Sequence, residues 1–257
     1  MVATVYFFRL FICGGPEMAP ALPQSADNRS RPPPFGARPV TSAAAVFDMD
    51  GVLIDSGAHH RHAWRMLLAE LGAEPAEPEH WRLTIGRPSE EAIPLLLGRR
   101  VSGAEARRLA RRKRDLYQER AQTGLDPVPG VREFLESLAR LEVPRAVGTS
   151  ASRWDAERLL DDLGLLRYFD VIVTADDVMR GKPDPEVWTE AARRLRVAAA
   201  RCVVFEDALV GVQAARAAGM RVIGVTTAHS DAELRAAGVE RTIPDFRELE
   251  WSHLLHR

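Results

Sequence analysis

Lysine is almost missing from this chain. Among 35 Lys and Arg residues only Lys113 and Lys182 are lysines, so each position invites a specific reason. Cysteine is equally sparse. Cys13 and Cys202 are too few for a disulfide framework and show no metal-ligand spacing. Cys202 opens an apolar run where a free, buried thiol is expected, which fits a reducing cytoplasm. A formal net charge of −1 gives no general attraction to nucleic acid or to an anionic membrane. Long apolar runs are lacking too: Met1 to Ile12 is too short to span a bilayer, and Arg9 interrupts it. That run also lacks the order of a signal peptide, with positive charge before the apolar stretch and a small-residue cleavage site after it. No internal repeat is visible. Together these absences exclude a disulfide scaffold, a repeat array and a general nucleic-acid or membrane binder. What remains is a 257-residue chain with 46% hydrophobic and 28% charged residues, enough for a packed core with or without a smaller insert.

The stretch from Glu17 to Thr41 is rich in Pro, Ser, Ala and Arg, including Pro32-Pro33-Pro34, and reads as a disordered tail over residues 1–41. Translation from Met18 rather than Met1 would account for the apolar opening. The fold begins at Ala44-Ala45-Val46-Phe47, a short apolar run of the kind that makes a buried strand. It ends abruptly in Asp48 and Asp50, followed by Gly51. Three helical stretches come next, over about 58–71, from about Ser89, and over about 104–122. They are too long together for a simple crossover. From Pro129 helices and strands alternate. Helices are expected over about 131–141, 154–163, 185–195 and 209–218, and strands over 145–148, 171–174, 202–205 and 221–225. Such alternation implies an α/β fold, a doubly wound parallel sheet covered on both faces.

Polar groups recur at the ends of successive strands: Asp48 and Asp50, then Ser150, then Lys182, then Glu206 and Asp207. In open α/β sheets ligands bind outside the carboxyl ends of the strands, so these residues converge on one crevice. Each has an ordinary reading alone: an acidic turn, a helix cap, a surface lysine. As a set they comprise a candidate nucleophile, two further acids suited to a hard cation, a fixed positive charge and a hydroxyl. That inventory suits phosphoryl transfer, where charge on the equatorial oxygens must be neutralised.

Asp48-Met49-Asp50-Gly51-Val52-Leu53-Ile54-Asp55-Ser56 resembles the first motif of the haloacid dehalogenase superfamily. Gly181-Lys182-Pro183-Asp184-Pro185 resembles its third, and Phe205-Glu206-Asp207-Ala208-Leu209-Val210-Gly211 its fourth. Ser150 matches the Ser or Thr of the second, with Thr149 one residue away as the alternative. The resemblance runs from about Ala43 to Val225 and on toward Phe246. It implies a core of residues 42–57 and 126–257 and a helical cap domain of 58–125, inserted after the first strand. It further implies that Asp48 attacks phosphorus to form an aspartyl-phosphate, and that Asp50 protonates the leaving oxygen and then activates water. Ser150 would bind a phosphoryl oxygen, and Lys182 would orient Asp48 and neutralise charge. Mg²⁺ would be held by Asp48, by Asp207, by Glu206 directly or through water, and by the backbone carbonyl of Asp50. Asp50 also separates the chain from P-type ATPases, which carry Thr there.

The cap carries three further candidates. Asp55-Ser56-Gly57-Ala58-His59-His60, followed by Ala63-Trp64, resembles the approach to the cap in the β-phosphoglucomutase-like subfamily, where a His at the position of His60 lies near the site. A partly buried helix residue is the plainer reading of His60. Gly86-Arg87-Pro88-Ser89 aligns with the cap loop that reaches substrate. The mutase arginine that grips the distal phosphate is missing there, although Arg87 lies beside its position. Arg112-Lys113-Arg114-Asp115 reads first as a solvated helical face, while Lys113 aligns with a mutase cap lysine. The resulting expectation is a Mg²⁺-dependent phosphatase of small phosphorylated metabolites, with no nucleic-acid or membrane partner. β-Phosphoglucomutase is the alternative inside the family. A non-catalytic binding protein on the same fold is the alternative outside it, and the complete set Asp48, Asp50, Lys182 and Asp207 speaks against that. A dehalogenase would leave the paired acids of the fourth motif unexplained. Nothing in the sequence separates a monomer from a homodimer.

Overall fold

The computed structural model describes residues 43–73, 81–121 and 124–255. The tail expected over 1–41 lies outside them. Six strands form one parallel sheet: β1 (Ala44–Phe47), β2 (Arg145–Gly148), β3 (Val171–Val173), β4 (Cys202–Glu206), β5 (Arg221–Val225) and β6 (Arg241–Ile243). Their spatial order is β3-β2-β1-β4-β5-β6. The chain therefore starts in the middle of the sheet, winds outward through β2 and β3, and returns to wind outward the other way through β4.

The reason β1 is central is its side chains. Ala44, Ala45, Val46 and Phe47 are fully buried, and successive residues point to opposite faces. Ala45 and Phe47 join one core cluster, together with Phe134, Leu135 and Leu138 of α4 (Val131–Arg140) and with Leu159 and Leu160 of α5 (Arg153–Asp162). Ala44 and Val46 join the other, with Trp188 and Ala191 of α6 (Glu186–Leu195) and Val212 and Ala215 of α7 (Leu209–Ala217). Phe47 is in register with Phe205 of β4, and their rings stack 4.8 Å apart. Removing either ring costs about 3–5 kcal/mol by the usual large-to-small scale.

Local signals set the helix ends. Ser152 caps α5, its hydroxyl accepting from the backbone N–H of Asp155, and Gly164 ends it in the left-handed region at φ +64°. The observed elements agree with the sequence reading to within about one residue at most ends. Three were not foreseen: α8 (Asp231–Ala237), β6 and a last short helix α9 (Ser252–Leu255). The strand β6 is only Arg-Thr-Ile with Arg241 exposed, too short and polar to show an apolar run.

Between β1 and α4 lie α1 (Gly57–Glu70), α2 (Ser89–Leu97) and α3 (Gly103–Ala121). Trp64, Leu67, Ile93, Leu109 and Leu116 pack them together. Arg112 adds a forked pair to Glu70, exposed and therefore weak. The chain enters and leaves this helical group side by side. Asp55 N–H donates to Asp126 O at 2.9 Å, and Val128 N–H donates to Leu53 O at 3.1 Å. Among the described residues no helix is long and apolar enough to cross a membrane.

Candidate active site

The sheet order reverses between β1 and β4, so the crevice opens beside their carboxyl ends. Asp48 follows β1, and Glu206 and Asp207 close β4. Lys182, from the segment between β3 and α6, reaches between them. Its ammonium donates to Asp48 Oδ1 at 2.6 Å and to Glu206 Oε2 at 2.8 Å, and lies 4.3 Å from the centre of the Trp188 ring. Burial opposes the charge on Lys182, which is 1% exposed, but the two carboxylates outweigh it and hold the lysine above its ordinary range.

Glu206 has both oxygens engaged, since Oε1 accepts from the backbone N–H of Ala208 at 2.9 Å. Gly211 makes room for it: a Cβ there would stand 2.1 Å from Glu206 Oε2. Gly51 does the same for Asp207. It takes φ +77°, and a Cβ on it would fall 1.9 Å from Asp207 Oδ2.

Oxygens of Asp48, Glu206 and Asp207 all lie within 4.8 Å of one another, and all three residues are buried. Burial, then Glu206, pushes Asp48 up to about 8 against the pull of Lys182. Burial, then Glu206 and Asp48, pushes Asp207 well above the usual carboxylate range. Three buried acids facing one ammonium leave a deficit of positive charge, and all the donors are hard oxygens. The set fits a hard divalent cation of the Mg²⁺ type. Among the described residues the Asp50 carbonyl accepts no hydrogen bond, which leaves it available to the same ion.

The Asp50 carboxylate points elsewhere. Its Oδ1 accepts from Ser56 Oγ at 2.6 Å and lies 2.9 Å from His60 Nε2. The other ring nitrogen, His60 Nδ1, lies 2.7 Å from Lys113 Nζ, and the imidazole stacks on Tyr117 at 4.3 Å. A neutral imidazole satisfies both contacts, accepting from Lys113 at Nδ1 and donating to Asp50 from Nε2. Burial and Lys113 hold His60 below its ordinary value, which keeps it neutral. Burial alone would raise Asp50, but His60, Ser56 and Lys113 outweigh it and bring Asp50 to about 2. Burial lowers Lys113 to about 8. The solvated-face reading of Arg112–Asp115 therefore fails at Lys113, which is 6% exposed. Helical phase turns it inward against Trp64 and Tyr117, 5.1 and 5.3 Å from their ring centres.

Of the two hydroxyls after β2, Thr149 is turned in, its oxygen accepting from Ala151 N–H at 3.1 Å. Ser150 is half-buried and donates to the Gly86 carbonyl at 3.2 Å. Gly86 is seated on the core so closely that a Cβ would stand 2.6 Å from Ala208 Cβ. Arg87, on the same loop, lines the crevice, whose volume is about 890 Å³. Every residue expected at the site borders this space except Glu206, which lies behind Lys182.

Two residues at the end of β5 were missed. The Thr227 hydroxyl donates to Gly51 O at 2.7 Å and sits 3.1 Å from Asp207 Oδ2. Buried His229 donates from Nδ1 to Asp207 O at 2.9 Å. The signal that exposed the other strand ends applied here as well, since Thr226 and Thr227 directly follow β5.

Comparison with known proteins is consistent with this geometry. Residues 45–225 match the family model described as haloacid dehalogenase-like hydrolase. The chain is 37% identical over 221 residues to the validoxylamine A 7'-phosphate phosphatase of Streptomyces hygroscopicus subsp. limoneus, covering 82% of this chain and 97% of that one. It is 37% identical over 183 residues to the fructose-1-phosphate phosphatase of Escherichia coli, covering 71% and 96%. Among solved structures, a β-phosphoglucomutase from Clostridium difficile superposes with a TM-score of 0.75 at 25% identity, covering 84% of this chain and 96% of that one.

Proposed function

The chain belongs to the haloacid dehalogenase-like hydrolase family, and from that membership we propose that it is a Mg²⁺-dependent phosphatase acting on a small phosphorylated metabolite through an aspartyl-phosphate. The carrying observation is the buried Asp48 fixed by Lys182 beside Glu206 and Asp207, at the mouth of a crevice roomy enough for a sugar phosphate. The phosphatases of sugar and related phosphates among its relatives support the substrate class.

Asp48, Asp207 and the Asp50 carbonyl would hold the ion, with Glu206, whose oxygens are already bonded, acting through water. When bound, the cation neutralises the phosphoryl oxygens as charge develops. Lys182 keeps the Asp48 carboxylate from swinging, which places it for in-line attack. A carboxylate oxygen of Asp48 forms a bond to phosphorus as the ester oxygen departs with a proton from Asp50. In the free enzyme Asp50 is ionised at neutral pH; an arriving phosphate dianion raises its affinity for a proton by like-charge repulsion. Asp50 then accepts a proton from water as that water attacks phosphorus, releasing inorganic phosphate and restoring Asp48. His60 and Lys113 fix the position of Asp50, and Ser150 donates to a phosphoryl oxygen once the Gly86 carbonyl moves away. Residues 58–125 act as the cap, hinged where Leu53–Asp55 and Asp126–Val128 run together.

Phosphate release from a panel of sugar phosphates, phosphoglycolate and nucleotides, with Mg²⁺ and with EDTA, tests this reading. Mg²⁺-dependent release from one or a few esters supports it. The likeness to a β-phosphoglucomutase favours one second reading. Conversion of β-glucose 1-phosphate to glucose 6-phosphate, primed by glucose 1,6-bisphosphate and without phosphate release, would establish that instead.

A further inference from the structure

Helix α3 treats its arginines in two ways. On the side away from the crevice Arg112 pairs with Glu70 and Glu119, and Arg108 lies near Glu105, which Arg99 already pairs. On the crevice side, Arg107, Arg111 and Arg114 follow one helical face at spacings of four and three, and Arg61 of α1 joins them. All four are exposed, and among the described residues none of them makes an ion pair or a hydrogen bond. Unpartnered guanidinium groups crowded on one wall repel one another, so an anion there relieves repulsion and gains forked hydrogen bonds at the same time.

The position of this wall is set by Lys113, which belongs to the same helix and reaches the acid–base residue through His60. At 1.5 Å per residue, Arg107 stands about 9 Å along the helix from Lys113, away from the reacting phosphate. Asp55, Glu90, Glu91 and Asp155 also line the crevice, Glu90 and Glu91 at the start of α2, where the helix dipole holds negative charge. Among the described residues none of these acids pairs with Arg61, Arg107, Arg111 or Arg114, so the four guanidinium groups keep their hydrogen-bonding capacity free for a ligand.

We infer that the preferred substrate carries a second anionic group, a carboxylate or a second phosphate, at the end remote from the ester that is cleaved. This rests on the phosphatase reading above. It disfavours a substrate with a cationic amine at that end.

The test uses three esters with the same phosphate and a different remote end: 6-phosphogluconate, glucose 6-phosphate and glucosamine 6-phosphate. With full-length protein and Mg²⁺, kcat/KM is expected to fall in that order, by about tenfold or more between the first and the last. The difference should lie mainly in KM, because the remote contact is the same in ground and transition states. It should shrink as salt is added. In the double variant Arg107→Gln, Arg111→Gln the ratio should approach one. A flat or reversed order, or an order unchanged in the double variant, would overturn the inference. Calorimetric binding of the same esters to Asp48→Asn with Mg²⁺ separates the two claims. Charge-ordered affinity without turnover by the wild type would sink the phosphatase reading alone, whereas turnover with no charge order in either measurement, or no binding of any ester, would sink this one.

Discussion

Asp48 and Lys182, separated by 134 positions in sequence, meet at 2.6 Å inside the protein, the lysine 1% exposed. One ammonium thus serves two buried carboxylates, because Glu206 takes a second hydrogen bond from it. At about pH 9, where Asp48 is ionised in the metal-free protein, replacing Lys182 with Met should leave the buried acids uncompensated and cost about 3–5 kcal/mol. Chemical denaturation of the metal-free variant checks this. A loss below 1 kcal/mol would show that the acids are neutral without the lysine.

The raised affinity of Asp48 for protons makes the metal-free protein sensitive to pH in a definite direction. Its folded value, about 8, exceeds the ordinary 3.8. The folded state therefore keeps a proton that the unfolded chain gives up, and the stability from this group is full below about pH 4 and lost as pH rises through 8. A cation requires the ionised carboxylates. Thermal melts should show a larger Mg²⁺-induced rise in Tm at pH 8 than at pH 5, and EDTA should abolish it. An increment independent of pH would place the ion elsewhere.

Gly51 and Gly211 are steric conditions of the acidic cluster. Gly51→Ala would drive a methyl into Asp207 Oδ2 and strain a residue at φ +77°. The expected result is a rise of at least tenfold in the Mg²⁺ concentration needed for half-maximal activity, with overall destabilisation of about 1–3 kcal/mol. A Mg²⁺ titration of activity alongside a urea melt distinguishes the two effects.

Asp50→Asn should lower kcat by about 10²–10⁴ on a sugar phosphate, the range typical of a lost general acid–base group. In the first turnover, before water attacks the aspartyl-phosphate, the loss should be smaller on p-nitrophenyl phosphate, whose leaving group needs less protonation. His60→Ala should follow the same pattern more weakly, since His60 acts by orienting Asp50. An equal first-turnover loss on both esters would assign Asp50 to folding or ion binding rather than proton transfer to the leaving group.

The central site was legible in sequence because strand ends converge in a doubly wound sheet: Asp48, Ser150 and Asp207 each stand at or just beyond one, while Lys182 comes from the longer segment between β3 and α6. The scarcity of lysine singled out Lys182 further. What stayed hidden depends on contacts between distant segments. Lys113 looked solvated because its neighbours Arg112, Arg114 and Asp115 are charged; only the packing of α3 on α1 shows that it turns inward to His60. Nothing in the sequence alone shows that the Glu206 carboxylate packs against Gly211. Thr227 and His229 follow a strand as the others do, but no acidic pair or glycine marked them. Arg107 and Arg111 were indistinguishable from the paired arginines beside them, because pairing is settled in three dimensions.

The most direct test of the account is chemical trapping of the phosphorylated enzyme. Wild-type protein mixed with Mg²⁺ and a turned-over ³²P-labelled ester, then quenched in acid within milliseconds, should carry an acid-stable label that hydroxylamine removes. Peptide mapping should place it on the segment holding Asp48, and Asp48→Asn, still folded by circular dichroism, should carry none and release no phosphate. Phosphate release by Asp48→Asn at the wild-type rate, or a label on any other residue, would contradict the assignment of Asp48 as nucleophile.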